Sequence, residues 1–106
     1  IKMNFVKTME RCRDIFGKYA FRKLNSEGRR GPVNKSLFET WSIVVGKLNQ
    51  EQVNKLILQK DNLIKEFIEL CSDYDFLNAL RAFDKTSVKT RIDKIKNLVR
   101  PILFGE

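Results

Sequence analysis

The side chains that most often do chemistry are scarce in this sequence. It holds no histidine and two cysteines, Cys12 and Cys71. A zinc site needs several Cys, His or carboxylate ligands at short spacing, and two distant cysteines do not supply one. Each cysteine falls at an apolar position of a helical pattern, which predicts two buried, reduced thiols. Arg11 and Arg13 flank Cys12 in sequence, but helical geometry turns both to other sides, so nothing activates the thiol as a nucleophile. Glu66 and Glu69 are three residues apart, with Asp73 and Asp75 just beyond. Two carboxylates at that spacing share a helix face and could hold a divalent cation. A solvated acidic face is the preferred reading, because charges on a helix are usually exposed. General acid–base work needs a histidine or a pair of carboxylates held in a cleft. The sequence therefore assigns no catalytic residue, no metal ligand and no cofactor.

Cationic side chains are plentiful instead. The net charge is +8 over 106 residues, and it is unevenly placed. Residues 22–35 carry five Lys/Arg against one acid, and residues 85–106 carry six against two. Residues 1–21 carry five against two, whereas residues 36–84 carry five against eight. Such segregation suggests a polyanion or an acidic partner surface, and a solvated lysine-rich surface is the bland alternative. Gly28-Arg29-Arg30-Gly31 is not a phosphate-cradling P-loop, because it lacks the spacing and the Lys-Ser/Thr pair. Its two guanidinium groups could still pair with phosphates or carboxylates. Toward the C-terminus stand Lys85, Lys89, Arg91, Lys94, Lys96 and Arg100. Lys89, Lys96 and Arg100, spaced seven and four, fall close to one side of a helix and could follow a nucleic-acid backbone. No aromatic residue interleaves within this run, so phosphate contact without base stacking is expected.

The elements that must position these groups read as helices. Ile1, Phe5, Met9, Cys12 and Phe16 form one apolar stripe at spacings of three and four. Gly28, Gly31 and Pro32 then interrupt any helix, leaving 22–33 as a basic loop. Asn34 is placed to cap a second helix whose inward face is Leu37, Phe38, Trp41, Val44, Val45 and Leu48. Phe38 and Trp41 are read as core. Asn49 with Gln52 three residues on has the form of a capping box. It opens a third helix running to about Cys71, roughly six turns long. Ser72 or Asp73 caps a fourth helix with Phe76, Leu77, Leu80 and Phe83 inward. Thr86 or Ser87 caps a fifth with Val88, Ile92, Ile95 and Val99 inward, which Pro101 should stop or kink. The fold class expected is all-α, a bundle of about five helices with the longest near the middle of the chain. Apolar residues make up 42% and charged residues 32%, which is too apolar for disorder and too charged for a membrane protein. Residues 1–106 form a single helical domain in this reading. The first residue is Ile1 rather than Met, which suggests a fragment of a longer protein.

The segment Arg30-Gly31-Pro32-Val33-Asn34-Lys35-Ser36-Leu37-Phe38-Glu39, with Ala20-Phe21-Arg22-Lys23 before it, carries a family likeness. Lys60-Asp61-Asn62-Leu63-Ile64 and Val88-Lys89-Thr90-Arg91-Ile92 extend it over about residues 5–103. The chain resembles the C-terminal helical region of bacterial proteins with an N-terminal ParB-like nuclease domain of the GmrSD type. Several such proteins are linked to restriction of foreign or modified DNA. The family's Asp-Gly-Gln-Gln-Arg nuclease motif is absent here, so no catalytic role carries over. The resemblance implies a C-terminal accessory domain beside an upstream nuclease-like domain of the same chain, in a bacterial cytoplasm. On the charge pattern and the resemblance together, DNA is the expected partner through its phosphates. Arg22, Arg29, Arg30, Asn34 and Lys35 would contact it near the loop, and Lys89, Arg91, Lys96 and Arg100 would form a second patch. The alternative is a protein-interaction or oligomerisation module, in which the acidic middle of one copy meets the basic ends of another.

Overall fold

The computed structural model describes residues 5–25 and 27–105. Among the described residues, six α-helices and one β-hairpin follow one another as α1 (Phe5–Phe16), β1 (Arg22–Leu24), β2 (Arg30–Val33), α2 (Lys35–Gly46), α3 (Gln50–Leu58), α4 (Lys60–Leu70), α5 (Tyr74–Arg81) and α6 (Lys85–Phe104). A single 3₁₀ turn, Gly17–Tyr19, links α1 to the hairpin. The fold is thus mostly helical but not all-α, and it departs from the expected five-helix bundle at three places.

The first departure is the hairpin, formed where the sequence suggests only a basic loop. Its strands pair antiparallel, with Arg22 opposite Val33 and Leu24 opposite Arg30 across an irregular register. The turn is built by Asn25, whose side-chain oxygen accepts from the N–H groups of Glu27 (3.0 Å) and Arg29 (2.9 Å). Gly28 supplies the positive φ of 79° that such a turn needs. Pro32 fits β2 because this strand is an edge and needs no donor on its open side.

The second departure is a break in the predicted long third helix. Gln59, at φ −105° and ψ 20°, ends α3 and begins α4. The apolar positions Leu56 and Leu63 are seven apart and would suit one straight helix. Its inward position between them is Lys60, however, and breaking at Gln59 leaves that lysine exposed. The third departure is length. The longest helix is the last, α6, with 20 residues. It touches α2, α3, α4 and α5 and so is the spine of the molecule. Pro101 does not stop it; α6 continues to Phe104 and closes on Gly105, whose φ of 69° and N–H to the Pro101 carbonyl (2.8 Å) form a left-handed cap.

The caps follow the sequence closely. Asn34 Oδ1 accepts from the Leu37 N–H at 3.0 Å. Asn49 and Gln52 form a reciprocal capping box at 2.8 and 3.0 Å. Asp73 caps α5, and Asp84, rather than Thr86 or Ser87, caps α6. Inside, Phe16, Trp41, Phe67 and Phe76 form a chain of edge-on and tilted rings with centroids 4.5 to 6.4 Å apart. Phe38 and Trp41 join this interior, Trp41 fully and Phe38 in part. The expected helix-1 stripe lies inward at Cys12 and Phe16, with Met9 partly so, while Ile1 lies outside the described residues. No helix among the described residues is long and apolar enough to cross a membrane.

Candidate nucleic-acid interface

Both cysteines are buried and unpaired. Burial pushes the Cys12 thiol up to about 12. Cys71 is likewise raised by burial, although a hydrogen bond from the Leu24 N–H (3.5 Å) opposes this in part. Neither thiol is poised to attack a substrate. Glu66 and Glu69 are exposed on α4, and no three potential metal ligands converge among the described residues.

The cationic residues divide into those that face outward and those that build the fold. Lys89, Lys96 and Arg100 are exposed on α6, as their spacing predicts. Lys35 is exposed at the start of α2, and Arg29 is exposed beside Glu27 at 3.5 Å. Arg22 is half-buried and donates to the Gly31 carbonyl at 2.9 Å, bracing the hairpin. The backbone of Arg30 lies in β2, and its side chain falls outside the described part. Asn34 spends its side-chain oxygen on the α2 cap, and its N–H donates to the Phe21 carbonyl at 2.8 Å. It positions the hairpin, and only its side-chain NH2 could donate to a phosphate.

Arg91 is the clearest correction. It is 2% exposed, in register with Val88, Ile95 and Val99 rather than with the outward lysines. Its Nη1 donates to the carbonyls of Ala79 (2.9 Å) and Ala82 (2.7 Å), and its Nη2 stands 3.8 Å from Glu39. A guanidinium is well suited to this, because its fixed fork holds several acceptors at once. Arg91 therefore latches the end of α5 to α6 and α2 and does not meet a phosphate. Its spacing from Val88 and Ile95, three and four, is the signal by which sequence could have placed it inside.

The fold also brings together residues that sequence spacing leaves apart. Lys47, just after α2, joins Lys85, Lys89 and Lys96 of α6 around a groove also lined by Ile43, Phe83, Val88 and Ile92. The groove is open, with a volume of about 480 Å³, and among the described residues Asp93 is its one acidic lining residue. Phe83 stands out because sequence reasoning places it on the inward face of α5. That helix ends at Arg81, and Ala82 is extended at φ −113° and ψ 155°. Phe83 is thereby carried off the inward face and is 70% exposed. A second basic groove, of about 380 Å³, lies where α1 meets the hairpin and is lined by Arg13, Lys18 and Arg22 with Met9, Phe21 and Val33. Beside it, Lys18 and Arg29 share a further recess with Tyr19 and Gly28. Phe21 holds the left-handed φ of 61°, which an aromatic residue adopts only when its surroundings impose it. Here its ring is pinned edge-on against Phe38 at 4.9 Å.

No family model, no curated protein and no solved structure matches this chain.

Proposed function

We propose that this chain is a non-catalytic helical accessory domain that holds DNA by its phosphates, beside an upstream nuclease-like domain of the ParB-like type. One observation carries the reading. Lysines of α6 and Lys47, which follows α2, converge on a single groove whose lining, among the described residues, includes four cations and one acid. The three basic side chains of the groove between α1 and the hairpin add a second contact region with no acidic lining residue among the described residues. Phosphate contacts of this kind position a protein on DNA without reading sequence. They also release counterions, so affinity falls steeply with salt. The family assignment rests on the sequence likeness alone.

The test is binding of duplex DNA by the chain, measured by fluorescence anisotropy at low and then moderate salt. Binding that weakens linearly on logarithmic axes supports the reading, and no binding at low salt refutes it. A protein-interaction or self-association role is the second reading. It is favoured by large apolar side chains that stand outward on separate elements, among them Leu58 at 84% and Tyr74 at 75% exposed. Sedimentation of the chain over a range of concentrations separates the two. A concentration-dependent dimer that does not bind DNA favours the second.

A further inference from the structure

Phe83 is an exposed ring on an unusually well-fixed piece of chain. The residue before it, Ala82, has its carbonyl held by the Arg91 guanidinium at 2.7 Å. The residue after it, Asp84, caps α6 through the Ser87 N–H (3.1 Å) and accepts from the Ser87 hydroxyl (2.8 Å). The Arg91 guanidinium also stands 5.9 Å from the Phe83 ring centroid, within reach of a cation–π contact. A ring held in this way loses little freedom when a ligand stacks on it. Around it stand Lys47, Lys85, Lys89 and Lys96.

We infer that this groove takes single-stranded DNA, with one base stacked on Phe83 and the flanking phosphates met by the lysines. The inference rests on the DNA-binding reading above and narrows its substrate. An exposed aromatic surrounded by cations is the arrangement that single strands use, because every base has a face to stack and every linkage a charge to meet. Bases in a duplex are already stacked on one another and do not reach the ring. The groove is also local, confined to the end of α2, Phe83 and the first part of α6. An amphipathic helix would need a run of apolar pockets over two turns or more.

The experiment compares an oligo-dT of about 12 nucleotides with a duplex of the same length. Both are titrated by anisotropy against the wild-type chain, Phe83→Ala and Phe83→Trp, and circular dichroism verifies that each variant is folded. The expected result is tighter binding of the single strand. Phe83→Ala should weaken that binding by about 5- to 100-fold, the equivalent of one lost base stack, and leave the duplex within about twofold. Phe83→Trp should keep or improve single-strand binding. If Phe83→Ala leaves the single strand unchanged, the ring takes no part in DNA binding, and if it weakens both ligands equally, the groove meets DNA without stacking a base; either result overturns the inference. If neither DNA binds the wild type, the DNA reading itself falls along with it.

Discussion

Arg91 shows how one side chain can decide what its neighbours are able to do. Its buried guanidinium satisfies two carbonyls at the end of α5, which no helical N–H would otherwise reach. Replacing it with Met removes charged hydrogen bonds and leaves those carbonyls unpaired. The expected loss is about 2–4 kcal/mol in a urea unfolding titration. Arg91→Lys should recover little of it, because an ammonium lacks the planar fork. Two carboxylates give a pH signature. Asp73 is held below the usual carboxylate range, first by its bond with Lys94 (3.0 Å) and then by the Phe76 N–H. Asp84 is held low by the Ser87 hydroxyl and N–H. Both pKa values are lower folded than unfolded. Their stabilising effect is therefore complete above the ordinary carboxylate pKa and disappears as pH falls through the depressed values. The double variant Asp73→Asn, Asp84→Asn should flatten the acid side of a stability–pH profile. A profile of unchanged slope would count against these bonds. The cysteines, by contrast, were legible from register alone: Cys12 and Cys71 sit at inward helical positions and are buried.

At the scale of elements, local signals carried the caps and failed at the joints. Asn34, Asn49 with Gln52, and Asp73 are side chains that satisfy N–H groups within their own helix, so sequence suffices to place them. The hairpin depends on Asn25 acting across a turn that Gly28 permits, in a stretch too short for any alternation to appear. Gly28→Ala would meet only Ile68 Cδ1 at 3.8 Å, an ordinary contact, so its cost is backbone strain. That change should destabilise the chain by about 1–2 kcal/mol, read as a lower urea midpoint. The break at Gln59 was hidden because Leu56 and Leu63 keep helical phase across it. Only the unfavourable burial of Lys60 would have argued for it. Phe83 was misplaced for the reverse reason. Its spacing from Phe76 and Leu80 is helical, but the extended Ala82 ends the helix before the spacing can act.

For the whole molecule, the segregation of charge along the chain becomes a segregation in space. Cations of α6 and Lys47 after α2 meet in one groove, and cations from α1 and the hairpin meet in another. Sequence singles out Lys89, Lys96 and Arg22 as candidate contacts, since runs of charge are visible in one dimension. Lys47, Arg13 and Lys18 are not singled out, because only the fold sets them beside the other cations of the two grooves. The central claim is that these groups meet phosphates. Its most direct test is the salt dependence of duplex binding for the wild type and for Lys89→Gln, Lys96→Gln. Each phosphate contact contributes about 0.9 to the slope of log affinity against log salt for a duplex. Measurable low-salt binding is expected, with a slope shallower by about 1.8 in the double variant. Binding that is absent at low salt, or a slope that the two substitutions leave unchanged, would contradict it.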